Sequence, residues 1–404
     1  MLKLKILRHT LAIAALLALV FAPAVWANDS LNQGLSHFKS GKYAEAAAEF
    51  QTLVDGSPSY DYGYFMLGLS LLKMGKFKEA DENIVKAIEL NGDKFEYHNG
   101  LATVYFTQKN YAKAISALKT SEPLASNDQY KFALYSMRGN CYAALEKWSD
   151  AVDDLEKARA INSGQASVLV TLGQSYYKLG YFEKAAAVFR QAVKAVPSDT
   201  STLQLLAESL INLGAEAKTD TEKASLYKEA LGYAQKLQKA KPGSYESSNL
   251  VGRAALGAKD YPTAEKAFRG VLAQKADYCY AMANLGKTYI AQQKWGDAEQ
   301  ILKEASACAP RMAVVQESLG FALQKQGRLD DAIQAYERAY ELKPSETVRK
   351  AINICKQNIE VAEHNTDVAE KERAQAEAEA EAQAAYEEEM RKKLEWEERR
   401  KKDD

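Results

Sequence analysis

Proline is scarce in this sequence, which has 8 proline and 22 glycine residues among 404. Proline breaks helices because it lacks a backbone N–H and its ring clashes with the preceding turn. Few prolines therefore permit long helices, and the abundant alanine, leucine, lysine and glutamate residues favour them. With 47% hydrophobic and 26% charged residues, the composition predicts a folded, all-α protein.

Cysteine and histidine are also scarce, with four residues of each. The cysteines form no Cys-x-x-Cys pair and are too scattered for a structural zinc site. The sequence contains no His-Glu-x-x-His motif, no glycine-rich phosphate loop and no Gly-x-Ser-x-Gly motif. We therefore predict that the protein is not an enzyme and that it binds no metal and no cofactor.

A long hydrophobic run stands out near the N-terminus. Leu11–Phe21 is apolar but short for a membrane span, and the basic residues Lys3, Lys5 and Arg8 precede it. Ala27 offers the small side chain that a signal peptidase requires. We predict a signal peptide in the first 27 residues and a periplasmic or otherwise exported mature chain, with an uncleaved membrane anchor as the alternative.

Neither sign of charge dominates the remaining sequence. Without the three basic residues of the predicted signal peptide, 50 Lys and Arg residues stand against 54 Asp and Glu residues, a net charge of −4. Nucleic-acid-binding domains usually carry a clear excess of positive charge. We expect no nucleic-acid partner, and no stable membrane span after signal cleavage.

A repeated pattern covers most of the chain. It reads Leu-Gly-x-x-Tyr, then Gly-x-aromatic-x-x-Ala, then an aromatic residue or Leu, then Ala and Pro. The copy in residues 166–198 is complete, with Leu169, Leu172, Gly173, Tyr176, Gly180, Phe182, Ala185, Phe189, Ala192 and Pro197. Further copies begin near residues 27, 61, 95, 132, 200, 245, 279 and 313.

This pattern resembles the tetratricopeptide repeat, a helix–turn–helix unit of about 34 residues. The resemblance covers roughly residues 28–345 and implies an all-α, right-handed superhelical solenoid of about nine hairpins. The small residue of the first helix, such as Gly173, is expected where the second helix approaches closely. An insertion at about residues 215–226 predicts longer helices and a protruding turn in the sixth repeat.

Two further segments follow the repeats. Residues 346–365 are predicted to be a capping helix that covers the last hairpin, since an open stack needs a polar outer face. Residues 366–404 are a charged helical tail without Gly or Pro, rich in Glu followed by Lys or Arg four residues later. A solvated single helix and a coiled-coil or partner-docking helix both fit this tail.

The resemblance also implies a binding site, because the first helix of each hairpin lines the concave groove in this family. At its N-terminal end these positions are apolar: Leu31, Leu35, Phe38, Tyr62, Phe65, Leu69 and Leu72. Farther along they form a polar ladder: Asn140, Gln174, Glu208, Arg253 and Lys287. We predict that this groove holds segments of partner proteins, unless the first helices bury the apolar set against each other.

The repeat register brings one cysteine pair together. Cys279 opens the first helix of the eighth repeat and Cys308 closes its second helix, so the two should meet at the open end of one hairpin. A disulfide is then possible in an oxidising compartment. Cys141 and Cys355 have no such partner and are predicted to be buried small hydrophobic residues.

The functional hypothesis is a non-catalytic scaffold for protein–protein interaction in the periplasm, serving cell-envelope or secretion assembly. The alternative is a polysaccharide-export or cell-wall-associated component that binds glycan through the polar part of the groove. The fold supports the first hypothesis only by analogy, because function resides in sites and not in folds.

Overall fold

The structure is a computed structural model that describes residues 29–403, with side chains described as far as residue 400. The predicted signal peptide, residues 1–27, lies outside the described residues. Between residues 29 and 403 all regular secondary structure is helical. The chain divides into two compact units, the first ending at Ala217 and the second beginning at Lys218.

The first unit contains eleven α-helices within its described residues. They are α1 (residues 29–39), α2 (Tyr43–Gly56), α3 (Asp61–Lys73), α4 (Phe77–Leu90), α5 (Phe95–Thr107), α6 (Tyr111–Ser121), α7 (Asp128–Ala144), α8 (Trp148–Ile161), α9 (Ala166–Lys178), α10 (Phe182–Ala195) and α11 (Thr200–Glu216). Helices that follow each other in sequence pack together, and α3, α5, α7, α9 and α11 also contact one another in that order. The unit is therefore a stack of hairpins with the first helices side by side.

The second unit repeats this arrangement and ends in a long helix. Its helices are α12 (Asp220–Ala240), α13 (Tyr245–Gly257), α14 (Tyr261–Gln274), α15 (Cys279–Ala291), α16 (Trp295–Cys308), α17 (Ala313–Lys325), α18 (Leu329–Leu342) and α19 (Glu346–Asp403). Helices α13, α15 and α17 lie side by side, and α19 packs on α18. The all-α solenoid class predicted from the sequence is confirmed.

Polar side chains fix where several helices begin, because they accept hydrogen bonds from backbone N–H groups that have no partner within the helix. The Thr219 hydroxyl accepts from the Glu222 N–H at 3.2 Å, and the Ser244 hydroxyl accepts from the Ser247 N–H at 3.1 Å. The Asn127 side chain accepts from the Tyr130 N–H at 2.9 Å. This last cap starts α7 at Asp128, one turn before the repeat boundary predicted near residue 132.

In most hairpins the two helices approach closely at a first-helix glycine and a residue sixteen positions later. A Cβ atom added to Gly173 would lie 2.6 Å from Cε1 of Phe189, and one added to Gly68 would lie 2.5 Å from Cγ1 of Ile84. At seven first-helix glycines an added Cβ atom would clash with the side chain sixteen positions later: Gly34, Gly68, Gly139, Gly173, Gly252, Gly286 and Gly320. The prediction that these small residues allow close helix approach is confirmed.

The buried Arg138 anchors the irregular link between the third and fourth hairpins. Its Nε donates to Oδ2 of Asp154 at 2.6 Å, and its Nη1 donates to Oε2 of Glu122 at 2.6 Å. Glu122 opens a short 3₁₀ turn, Glu122–Leu124, that replaces the usual connection. The guanidinium therefore ties α7 to both α8 and this turn, and it holds the pKa of Glu122 below its ordinary value against the opposing effect of burial.

The sixth repeat carries its extra residues in helices. Helix α11 has 17 residues and α12 has 21, against 13 and 14 in α9 and α10. Only residues 217–219 separate α11 from α12. Tyr227, near the start of α12, is buried against Gly257 of α13, where no side chain could be accommodated.

The predicted cap and tail form one continuous helix, α19, of 58 residues. Val348, Ile352 and Cys355 are buried in the core that α18 completes. Every described side chain from residue 360 to residue 400 is exposed. No helix between residues 29 and 403 has the length and apolar character needed to cross a bilayer.

Candidate functional site

The predicted N-terminal groove residues are largely used in packing between the first hairpins. Phe65 and Leu72 are buried, and the other members are half-buried against the same core: Leu31, Leu35, Phe38, Tyr62 and Leu69. The Phe65 ring lies 4.7 Å from the Tyr97 ring, centroid to centroid, and fills the space beside Gly100. None of the seven side chains is exposed. This arrangement matches the stated alternative, in which the first helices bury these apolar residues against each other.

In the first unit one residue of the polar ladder, Glu208, belongs to a hydrogen-bonded cluster. Asn140, Gln174 and Glu208 are half-buried on α7, α9 and α11. The Tyr177 hydroxyl donates to Oε2 of Glu208 at 3.4 Å, and Gln204 Nε2 donates to Oε1 of the same carboxylate at 2.9 Å. The Glu208 carboxylate is therefore already hydrogen-bonded within the unit.

In the second unit the ladder continues with two cations, Arg253 on α13 and Lys287 on α15, both half-buried. Burial lowers the pKa of Lys287, and the negative charge of Glu317 on α17 partly opposes this effect. Among the side chains described from residue 29 to residue 400, no carboxylate forms an ion pair with the Lys287 ammonium. A partly desolvated ammonium of this kind is a ready partner for an anionic group of a ligand.

Beside Lys287 lies a cavity of about 660 Å³ between α15, α17 and α19, which we call the C-terminal groove. Its aliphatic and phenylalanine lining consists of Ile290, Val314, Phe321, Val348, Ala351 and Ile354. Val314, Phe321 and Ile354 expose 38%, 36% and 48% of their surface, so this site, unlike the N-terminal groove residues, presents large apolar side chains to solvent.

Polar groups surround the apolar lining of the C-terminal groove. The charges come from two cations and two carboxylates: Lys287, Lys350, Glu317 and Glu346. Ser318, Gln324 and Thr347 contribute neutral hydrogen-bonding groups. Tyr336 closes the groove from α18: its hydroxyl donates to Oε1 of Gln324 at 2.9 Å, and burial raises its pKa. An apolar cleft with a few polar groups at its border is the usual form of a site that binds an extended segment or a helix.

Sequence reasoning identified part of this groove. It named Lys287 as a groove residue, and Phe321 is the apolar residue that follows the polar ladder at the equivalent position of the last repeat. It missed Ile290, Val314 and Ile354. Helix α19 packs on the core through Val348, Ile352 and Cys355, and Val348 also lines the cavity. Ile354 lies outside this buried set and forms part of the exposed wall.

The structure joins Cys279 and Cys308 as a disulfide at the open end of the α15–α16 hairpin, with a Cα–Cα distance of 5.6 Å. Cys141 and Cys355 are free and buried. Burial raises the pKa of the Cys141 thiol to about 12 and raises that of Cys355 as well, so both remain protonated thiols at neutral pH. In the described part of the chain no group of three or more His, Cys, Asp or Glu residues could hold a metal ion.

Stacked helical hairpins with a groove along their first helices define a helical-repeat protein. Family profiles described as "Tetratricopeptide repeat" match residues 65–128, 166–199, 222–278, 255–318 and 313–346. These segments together span more than half of the chain. The chain belongs to the tetratricopeptide repeat family.

Its similarity to characterised proteins is distant. It is 24% identical over 315 residues to BBSome complex member BBS4 of Bos taurus, covering 77% of this chain and 57% of that protein. It is 25% identical over 181 residues to Protein O-mannosyl-transferase TMTC1 of Homo sapiens, covering 45% and 20%, respectively. The chain thus spans little more than half of the first relative and a fifth of the second.

Among solved structures, the chain is similar to the C-terminal part of a TPR repeat-containing protein from Cytophaga hutchinsonii. The two share 19% identity with a TM-score of 0.50, and the match covers 63% of this chain and 98% of the other. At this level of identity the likeness shows a shared fold.

Proposed function

We propose that the protein is a non-catalytic scaffold that holds a segment of a partner protein in the C-terminal groove. Tetratricopeptide repeat proteins mediate protein–protein interactions, so the general role follows from the family. The observation that carries the particular site is the exposure of Val314, Phe321 and Ile354 around one cavity. Contiguous exposed apolar surface with a polar border is typical of a partner-binding site.

The chemistry of the groove favours an amphipathic partner segment. Apolar side chains of the partner would enter between Phe321 and Ile354, and an acidic group at one end would meet Lys287. The ammonium is already partly desolvated, so pairing it with a carboxylate gains attraction at a smaller additional desolvation cost. The net charge of −4 beyond residue 27 supports a protein partner over nucleic acid.

We place this function outside the cytoplasm, in cell-envelope or secretion assembly of a periplasm. Two independent features support this proposal. The first 27 residues have the basic and apolar sequence of a signal peptide. The Cys279–Cys308 pair has the geometry of a disulfide, which persists in oxidising compartments.

The scaffold role is proposed without catalysis and without a cofactor. The match to a transferase covers 20% of that protein, so its named activity does not extend to this chain. Glycan binding is the competing function, and the Tyr177–Glu208 cluster of the first unit is the feature that favours it. There Asn212 Nδ2 also donates to the Tyr177 hydroxyl at 3.3 Å, placing an aromatic ring beside several hydrogen-bonding groups.

The test is affinity capture from envelope extract with the mature protein and with a Phe321→Glu variant. Phe321 lines the cavity at 36% exposure, so a carboxylate there should abolish capture of a specific partner without unfolding the chain. The matched control is Tyr280→Glu, because Tyr280 is a 61% exposed aromatic residue of the same unit that does not line the cavity.

Loss of the same partner from both variants, or from neither, contradicts the groove assignment. The glycan alternative is tested in parallel by measuring binding of envelope polysaccharide to the mature protein and to Tyr177→Ala. A polysaccharide that binds the mature protein, fails to bind Tyr177→Ala and still binds Phe321→Glu would replace the scaffold proposal.

A further inference from the structure

The distal part of α19 carries apolar side chains that nothing in the described chain covers. Tyr386, Met390 and Leu394 are 60%, 40% and 57% exposed. They are spaced by four residues and therefore lie on one face of the helix. We call these three residues the tail stripe. Since all described residues from 360 to 400 are exposed, no core within the described residues accounts for the stripe.

The charges around the tail stripe change sign at its centre. Glu387, Glu388 and Glu389 precede Met390, and Arg391, Lys392 and Lys393 follow it. Positions at equal distance on the two sides of Met390 therefore carry opposite charges. Farther out, the next five pairs of positions carry no opposite charges, and the relation returns at Glu381 and Arg399. The apolar residues Tyr386 and Leu394 occupy equivalent positions on the two sides, so the apolar pattern is symmetric and the charge pattern is reversed.

We propose that a second copy of this chain covers the tail stripe by pairing the two α19 helices antiparallel about a two-fold axis at Met390. In such a pair Met390 meets its counterpart and Tyr386 meets Leu394 of the second copy. Glu387 and Glu389 flank the stripe and lie near Arg391 and Lys393 of the second copy. Glu388 and Lys392 lie on the opposite side of α19, where they pair within one helix. A contact that repeats itself in this way is isologous and closes as a dimer.

The opposite orientation is electrostatically unfavourable. In a parallel, in-register pair, the flanking glutamates Glu387 and Glu389 of the two copies would lie close together, as would Arg391 and Lys393. Like charges across a helix pair disfavour association, whereas opposite charges at the flanking positions select partner and orientation. The charge reversal at Met390 therefore favours the antiparallel pair.

Salt bridges within a single helix explain only part of this pattern. Lys392 Nζ lies 2.8 Å from Oε1 of Glu388, one turn away, with 69% and 54% of the two side chains exposed. Such pairs stabilise a solvated helix. These salt bridges do not explain why three large apolar residues lie on one face of the helix. Exposed apolar surface of this kind marks an interaction site.

The first test compares the molar mass of the mature chain with that of a Met390→Glu variant over a range of concentrations, by light scattering or sedimentation. The mature chain should approach twice the monomer mass, and Met390→Glu should remain a monomer because it places a charge at the centre of the contact. Ala385→Glu is the matched control: it makes the same chemical change on the opposite face of α19 and should still dimerise. Circular dichroism verifies equal helicity.

The second test determines orientation by cross-linking. Gln383 and Glu397 lie at equal distances on the two sides of Met390, on the face of the tail stripe. Cys141 and Cys355 are buried and Cys279 is disulfide-bonded to Cys308, so an introduced tail cysteine is accessible and distinct. An antiparallel pair predicts a cross-link when Gln383→Cys is mixed with Glu397→Cys, and none when Gln383→Cys is oxidised alone.

Three results would overturn the proposal. These are a monomer at every concentration, a dimer that Met390→Glu leaves unchanged, and cross-linking of Gln383→Cys to itself, which indicates a parallel pair. Vesicles of phosphatidylglycerol and phosphatidylethanolamine test a lipid surface as the occupant: stripe-dependent binding by a monomeric chain would assign the tail stripe to lipid. The groove variant Phe321→Glu should dimerise normally, so failure of the groove assignment and failure of tail pairing are distinguishable.

Discussion

At the scale of single residues, the turn inside eight of the hairpins has one residue with a left-handed backbone, whereas the longer sixth repeat has none in its turn. Gly41, Gly75, Gly180 and Gly327 adopt φ values of 73° to 79° there. Four repeats place other residues at the same position: Lys109, Glu146, Lys259 and Gln293, with φ between 58° and 61°. A residue with a Cβ atom is strained in this region, whereas glycine is not.

We therefore expect Gln293→Gly to stabilise the second unit by about 0.5–1 kcal/mol. Glycine removes the backbone strain of the folded turn, and the extra flexibility that it gives the unfolded chain offsets part of this gain. The Gln293 side chain is exposed, so its removal costs little packing. Thermal unfolding measures the change. Gly180→Ala at the equivalent turn should destabilise the first unit, and equal unfolding temperatures for Gln293→Gly and the unmodified chain would contradict the strain argument.

At the scale of elements, one carboxylate joins the last two hairpins. Glu299 of α16 accepts from Lys303 Nζ at 2.7 Å, from Arg328 Nη1 at 2.6 Å and from Gln326 Nε2 at 3.0 Å. The hydrogen bond from Lys303, opposed by burial and reinforced by Arg328 and Gln326, lowers the pKa of Glu299 from its ordinary 4.5 to about 2. The charged form is therefore the one that the folded state favours.

A lowered pKa stabilises the fold above the unfolded-state value and loses this effect as the pH falls through the folded-state value. Glu299→Gln should therefore lower the unfolding temperature by roughly 2 °C at pH 7, since exposed cations provide most of the attraction. The difference from the unmodified chain should shrink as the pH falls from 4.5 towards 2. Glu304→Gln, an exposed residue of the same helix, is the control. A difference that does not change with pH would show that Glu299 acts by packing.

The elements also show what the sequence could and could not predict. The repeat pattern predicted the starts of α9, α13, α15 and α17 at residues 166, 245, 279 and 313, because hairpin stacking imposes one spacing on core residues. It did not predict the earlier start of α7 or the buried Arg138, since a local cap and a buried ion pair follow no repeat.

The binding site was less predictable than the fold. Apolar first-helix positions indicate surface that must be covered, but not whether a partner or the next hairpin covers it. In the first unit neighbouring helices bury Phe65 and Leu72, whereas in the second unit Val314 and Phe321 remain exposed beside α19. This distinction depends on the packing of α19, which lies outside the repeat.

At the scale of the whole molecule, a repeat array transmits stability only between neighbouring hairpins. The Cys279–Cys308 disulfide closes a segment with a sequence separation of 29 within the second unit. Closing a loop of this size restricts the unfolded chain and stabilises the folded one by about 2–4 kcal/mol. The effect should therefore remain local to the hairpin and its neighbours.

We expect the protein, when it is produced in an oxidising compartment, to contain two free thiols and one disulfide. Cys279→Ser/Cys308→Ser should lose about 2–4 kcal/mol of stability in the second unit. Hydrogen exchange followed by mass spectrometry checks this: protection should fall in α15 and α16 and stay unchanged in α3 to α6. A reductant should reproduce the effect in the unmodified chain and do nothing further to the variant. Four reactive thiols in the denatured protein from that compartment would refute the disulfide. Loss of protection throughout the chain would refute local coupling, because stability would then be shared by all the hairpins.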